Sequence, residues 1–253
     1  MMAKSPSPTQ TVSAVDQQLC VTSGAGRLPT PKIWSRWTVE NDDPSSGPSA
    51  ATTFTLRNAV VPDLEEVHKM IYELAVYEKE EDQMKLPLEQ FIRDSGLPGS
   101  GNVDREDGSG PQRYQCLVLS AQQADVEPSS RAINTEQQSE AVTKEKIVGY
   151  ALYFFTYSTW EGRAFYLEDL YVRPEVRKGG LGTKMVYCLA KIAAVENCCR
   201  LQWQCIDWNT SSLEFYYKKL KAEERTETND AKWVNIWLKR ARILEMAAEF
   251  DGE

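Results

Sequence analysis

Three observations predict an α/β domain in which a mixed sheet carries helices on its faces. Strand-like and helix-like stretches follow one another in the order β-α-α-β-β-β-α-β-α-β between residues 53 and 240. The stretch Phe165 to Leu189 (FYLEDLYVRPEVRKGGLGTKMVYCL) joins an aromatic, β-branched strand to a helix through a glycine-rich basic turn. The composition of the 253-residue chain, 42% hydrophobic, is that of a globular protein with a sizeable core.

Residues 1 to 52 are rich in Ser, Thr, Pro and Gly and lack apolar periodicity, which predicts a disordered extension ahead of a domain over 53 to 253. Up to Thr38 that extension carries Lys4, Arg27, Lys32 and Arg36 against Asp16, a net +3. Such a charge suits mitochondrial import, but the prolines and the lack of an amphipathic helix favour a floppy tail. No secretory signal and no membrane-length apolar run is visible, so the expected location is the cytoplasm. The six cysteines have no zinc spacing and are expected to be reduced thiols, and no metal is expected. The net charge of −8 argues against nucleic acid as a main partner and suits a cationic one.

Order is predicted from Thr53, where Phe54 to Val60 alternates as a strand and Pro62-Asp63 opens a helix with Leu64, Val67, Ile71 and Leu74 on one face. That helix runs into the acidic patch Tyr77 to Gln83 (YEKEEDQ), whose plainest reading is a solvated helix end. A second helix covers Leu88 to Arg93, a strand covers Tyr114 to Leu119, and Gln122 to Glu145 reads as a long flexible loop. Ile147 to Thr156 is a strongly apolar strand, followed by a turn through Ser158-Thr159-Trp160. Leu201 to Ile206, a short helix over Ser211 to Lys219 and a last strand over Lys232 to Leu238 complete the order.

The glycine turn is the most informative stretch. Pro174 stops the strand, and from Leu181 the apolar residues Leu181, Met185, Leu189 and Ile192 recur at helical spacing. Glycines let backbone approach an anion closely, and the first N–H groups of a helix point at it, so the turn suits phosphate. A P-loop is excluded because Thr183 and then Lys184 follow Gly182, and the dinucleotide fingerprint is excluded by spacing and position. What remains is Arg-x-x-Gly-x-Gly, carried by Arg177, Gly180 and Gly182, or simply a glycine turn before a helix.

The Arg-x-x-Gly-x-Gly pattern resembles the pyrophosphate loop of the GNAT acetyltransferases. Four further motifs narrow the resemblance: Ala75-Val76-Tyr77-Glu78, Tyr153-Phe154-Phe155-Thr156-Tyr157 with Trp160, Tyr166-Leu167-Glu168-Asp169, and Asp207-Trp208-Asn209 with Phe215-Tyr216. Together they are similar to the diamine acetyltransferases, the spermidine/spermine and thialysine types, over about residues 53 to 240. The resemblance implies the GNAT fold (a mixed, mostly antiparallel sheet flanked by helices), acetyl-CoA as donor, a small amine as acceptor and a homodimer. It also implies site residues. Backbone of Leu170, Tyr171 and Val172 would hold the pantetheine, and Arg177, Lys178, Gly179, Gly180, Leu181, Gly182 and Thr183 would wrap the pyrophosphate. Asn209 and Ser212 would also touch the cofactor. Tyr77, Glu78, Trp160, Glu168 and Asp169 would bind the amine, with Glu168 on the amine side and Tyr216 the general acid.

Residue chemistry agrees with those roles. A phenol with an ordinary pKa of about 10 is protonated at neutral pH and close enough to a thiol's roughly 8.5 to protonate a departing thiolate. An amine arrives protonated and needs carboxylates to hold it and take its proton. On a regular strand Glu168 and Asp169 face opposite sides, so only one is expected at a given site. The sequence departs from the family where Phe215-Tyr216-Tyr217-Lys218-Lys219-Leu220-Lys221-Ala222 lacks the usual glycine before alanine. A one-residue insertion would put Tyr217 in the place of Tyr216. Ser158 stands where polyamine-specific members tend to carry an acid, which points to a shorter amine such as thialysine, lysine, ornithine or a diamine. Acetylation of protein lysines and non-catalytic acetyl-CoA binding are the alternatives.

Overall fold

The computed structural model describes residues 31–39, 51–101, 109–123, 145–177, 179–224, 227–228, 231–232, 236 and 238–251. By its contacts the chain divides into two compact units, Met1–Gln204 and Cys205–Glu253. The first is built on a six-stranded sheet in the order β1-β2-β3-β4-β5-β6. Its strands are β1 (Ile33–Val39), β2 (Thr52–Asn58), β3 (Gln115–Gln123), β4 (Lys146–Ser158), β5 (Gly162–Val172) and β6 (Leu201–Gln202). All neighbours are antiparallel except β5 and β6, as expected for a mixed, mostly antiparallel sheet.

Each face of the sheet buries its own cluster. On one face α1 (Leu64–Glu78) and α2 (Leu88–Asp94) cover Val118, Tyr150 and Tyr171 with Leu64, Val67, Met70 and Phe91. On the other, α3 (Leu181–Val195) brings Leu181, Met185, Leu189 and Ile192 onto Leu117, Leu119, Phe165 and Leu167. The four apolar residues on which the helical reading of α3 rested are all in this core. Fully burying one such side chain contributes about 1.5–3 kcal/mol, so the stripe accounts for the helix docking where it does.

The predicted disorder of residues 1–52 is corrected at Ile33–Val39, which pairs with β2 along its length. Trp37 stacks on Phe54 with ring centroids 5.9 Å apart, and the Trp34 Nε1–H donates to Asn58 Oδ1 at 2.7 Å. Two large aromatic side chains on one face of a short strand bury enough area to hold it, although its neighbours in sequence are polar. Residues 1–30 and 40–50, the 124–144 part of the loop expected over Gln122 to Glu145 and most of the strand expected over 232–238 lie outside the described residues, whereas Gln122 and Gln123 belong to β3. Lys232 itself pairs in a two-residue hairpin, β7 (Glu227–Thr228) with β8 (Ala231–Lys232), and not in the large sheet. The predicted strand at Leu201 to Ile206 keeps strand pairing only at Leu201–Gln202.

Two ion networks, one buried and one half-buried, pin α1 to the sheet. Arg57 of β2 donates from both η nitrogens to Asp63 at 2.6 and 3.0 Å, and the Asp63 carboxylate also accepts the Val60 N–H at 2.8 Å. Beyond the end of β5, Arg173 donates to Glu73 at 2.7 Å and to Glu66 at 2.8 Å, two carboxylates seven residues apart on α1. Arg173 holds the Glu73 carboxyl below its ordinary pKa, and the Tyr171 hydroxyl donates to it at 3.0 Å. Among the described residues no helix is long and apolar enough to cross a membrane.

The second unit contains α4 (Thr210–Glu214), a π-helical turn over Phe215–Lys219 and α5 (Arg240–Asp251).

Candidate active site

The register of β5 against β4 slips once, because Leu152 faces Asp169 and the next residue, Tyr153, faces Leu167. Glu168 is therefore an extra residue, a β-bulge. Its effect on the side chains is visible in the core: Leu167 and Leu170, three residues apart, both pack into the α3-side cluster. Glu168 and Asp169 lie between them, so both point away from that cluster. The expectation that the two acids face opposite sides of the sheet is corrected by this bulge, which bends a strand and re-aims side chains near sites.

On the α1 side, Asp169 accepts a hydrogen bond from the buried Tyr150 hydroxyl at 3.1 Å. Removal from water pushes the Asp169 carboxyl up to about 6 from its ordinary value near 3.8; the Tyr150 bond opposes that rise, and the negative charges of Glu168 and Glu78 add to it. Such an acid subtracts stability as it ionises between about pH 4 and pH 6, the opposite of a salt-bridged carboxylate. Desolvation likewise raises Glu168 and Glu78, the latter with help from Glu80. Three carboxylates of high proton affinity thus share one neighbourhood, brought there by the end of α1 and the bulge of β5. Their arrangement would welcome a cation, and Asp169, pushed up to about 6, is able to accept a proton near neutrality.

The other edge of β5 is open beyond Tyr166. Strand β6 pairs only with Phe165 and Tyr166, so among the described residues no strand runs beside Leu167 to Val172. Backbone N–H and C=O groups on an open edge are ready to bond an extended amide-bearing ligand. The open edge leads to Arg177, whose Nε donates to the Val172 carbonyl at 2.6 Å while its guanidinium lies over the Tyr171 ring at 5.5 Å. That bond uses one of five guanidinium donors.

The turn then delivers Gly180 at φ +73 as the N-cap of α3, a conformation that favours glycine. No side chain caps the first turn of this 15-residue helix, so the N–H groups at Leu181, Gly182 and Thr183 are presented to an anion as the sequence suggested. Lys178 lies outside the described residues. The uncapped turn, the left-handed glycine and the open strand edge fit a pantetheine pyrophosphate.

Not every expected residue joins the carboxylates. Trp160 is 78% exposed in the β4–β5 turn, eight residues before Glu168, and the six strand steps from Gly162 to Glu168 alone span roughly 20 Å. Ser158 shapes that turn by accepting the N–H groups of Trp160 and Glu161, both at 3.3 Å. Tyr77 is exposed near the end of α1, beside Glu78.

In the second unit, Asn209 caps α4 by accepting the Ser212 N–H at 3.3 Å. The π-helical turn that follows is closed by Leu220 N–H donating to the Phe215 carbonyl at 3.1 Å. A π-turn holds one residue more than an α-turn, which is the local form a one-residue insertion here would take. The glycine expected before Ala222 is replaced by Lys221, which keeps the left-handed conformation at φ 59. Tyr216 is half-buried, whereas Tyr217 is exposed with its hydroxyl 3.5 Å from Glu224. Tyr150 was not among the sequence candidates, because inside the apolar run Ile147 to Thr156 it reads as a core residue.

Residues 112–221 match the family described as Acetyltransferase (GNAT) family. The chain is 36% identical over 173 residues to a thialysine N-epsilon-acetyltransferase of Bos taurus, covering 68% of this chain and 85% of that one. It is 35% identical over 195 residues to the thialysine N-epsilon-acetyltransferase of Sus scrofa, covering 77% and 97% respectively. Similarity at 28% identity over 196 residues extends to the spermidine/spermine N(1)-acetyltransferase-like protein 1 of Homo sapiens, covering 78% of this chain and 24% of that protein.

Proposed function

The chain belongs to the GNAT acetyltransferase family and is an amine N-acetyltransferase, and on that premise we propose that it moves an acetyl group from acetyl-CoA to the primary amine of a thialysine- or lysine-like amino acid, a diamine or a small polyamine. The observation that carries the choice of acceptor is the group of Glu78, Glu168 and Asp169, three desolvated carboxylates where a cation must lose its proton. The thialysine type of the more similar relatives agrees with Ser158 in place of an acid.

Acetyl-CoA supplies an activated thioester. Along its length, the open backbone edge of Leu170, Tyr171 and Val172 would bond the pantetheine, while Arg177, Gly180 and the N–H groups of Leu181, Gly182 and Thr183 would hold the pyrophosphate. Asn209 and Ser212 are proposed as further cofactor contacts. Glu78 and exposed Glu168 would receive the ammonium group, with Tyr77 beside them. Asp169, and through it the Glu168 pair, would take the proton that frees the amine lone pair. The C–N bond forms as the C–S bond breaks, Tyr216 gives its proton to the departing thiolate, and the amide nitrogen loses its second proton to the same carboxylates. A homodimer is proposed on the family resemblance alone, and a cytoplasmic location on the sequence reading given above.

The test is thiol release from acetyl-CoA by the full chain with thialysine, lysine, ornithine, putrescine and spermidine side by side. Highest kcat/KM is expected with thialysine or lysine. A preference for spermidine would overturn the short-amine reading, and bound acetyl-CoA without release from any of them would overturn the small-amine reading altogether.

A further inference from the structure

The buried polar groups beneath α1 include one that the reaction as written does not use. Tyr150 is wholly buried in the middle of β4, yet its hydroxyl is not spent on backbone: it donates to Asp169 Oδ2 at 3.1 Å. We infer that Tyr150 is a positioning residue for Asp169, holding Oδ2 so that Oδ1 is the oxygen offered to the amine proton and keeping the carboxylate ionised in a place that desolvates it. The inference rests on the proposal that Asp169 takes the substrate proton.

The surroundings explain why such a donor is needed. The charged and titratable groups around Asp169 are Cys116 on β3, Tyr150 on β4, Glu168 on β5 and Glu78 on α1. None of these four is cationic. Arg57, Arg173 and Arg177 have other partners: Asp63 for Arg57, Glu66 and Glu73 for Arg173, and the Val172 carbonyl for Arg177. A neutral hydroxyl is therefore the group that stabilises the anion, and it does so without cancelling the negative field that draws an ammonium. Burial and Asp169 both hold the phenol well above its ordinary pKa, so it stays a donor throughout the working range. An arginine in its place would stabilise Asp169 more strongly but would drop its affinity for a proton and repel the substrate. A phenylalanine would pack as well and leave Oδ2 without that donor.

The experiment is the pH dependence of kcat/KM for the unaltered chain, Tyr150→Phe and Asp169→Asn, with the best amine of the panel. The unaltered chain is expected to lose activity on the acid side with a midpoint near 6, as Asp169 protonates. Asp169→Asn should abolish that limb. Tyr150→Phe should move it upward by roughly one pH unit, a loss of about tenfold below the limb with the plateau above pH 8 nearly kept, because a lost hydrogen bond to the ionised form favours the protonated one. A limb that stays in place in Tyr150→Phe, with activity lowered equally at all pH values, would overturn the inference. A limb that survives in Asp169→Asn would instead overturn the assignment of Asp169 as the proton acceptor. Carboxyl-carbon NMR titration of Asp169 in the unaltered chain gives a reading that needs no variant: the Tyr150 hydroxyl-bearing ring carbon should shift with the same midpoint. Independent midpoints for the two signals would also overturn the inference.

Discussion

Replacing Tyr216 with phenylalanine is expected to lower kcat by about 10²- to 10⁴-fold, the range that general-acid catalysis supplies, with acetyl-CoA affinity changed less than about twofold. The reason lies in the leaving group. A thiolate expelled without a proton is less stable than one protonated as the C–S bond breaks, and the change removes only the hydroxyl. Tyr217→Phe is the control that makes the result decisive. The Tyr217 phenol is exposed in the π-turn, and desolvation and Glu224 raise its pKa, making it a poorer acid. Its loss should leave kcat within about threefold. The reverse outcome, a large fall with Tyr217→Phe and none with Tyr216→Phe, would mean that the extra residue lies before the acid and not after it.

Arg57→Ala is expected to destabilise the fold by about 3–5 kcal/mol, the usual cost of breaking a buried ion pair from one side. For a protein of this size that is a fall in Tm of roughly 10 °C. Both partners are 8% exposed, and once the guanidinium is gone Asp63 keeps the Val60 N–H but not the two charge-assisted bonds. Arg57→Leu with Asp63→Leu in the same chain should recover much of the loss, because an apolar pair removes the stranded charge. Calorimetry or thermal circular dichroism would check both, and a single variant as stable as the parent would show that water reaches Asp63 freely. Proximity to α1 gives the change a second reading: a loosened helix start would leave Glu78, at the other end of the same helix, less firmly placed.

The sequence carried the sheet and the glycine turn for a simple reason. Alternation at Phe54 to Val60 and helical spacing at Leu181 to Ile192 are local patterns that burial enforces, and the left-handed Gly180 is a residue type demanded by its own backbone. Features set by pairing were hidden. Whether Glu168 is bulged depends on where β4 sits, which no property of Leu167-Glu168-Asp169 reveals. β1 was missed because its two tryptophans stand in a polar, proline-bearing stretch and pay back only against Phe54 and Asn58. The absent glycine before Ala222 is a trace in the sequence at the end of the π-turn, but it could not decide between Tyr216 and Tyr217 as the acid. Tyr150 was hidden by its own success as a core residue.

The bulge also separates what the fold requires from what the chemistry requires. An extra residue between Leu167 and Asp169 can be removed without sending any neighbour through the sheet: Leu167 and Leu170 would keep to one side and Asp169 and Tyr171 to the other, now on an unbroken ladder. A single-codon deletion at Glu168 is thus a shortening of a central strand that the core should tolerate, and it would take away one of the three neighbouring carboxylates.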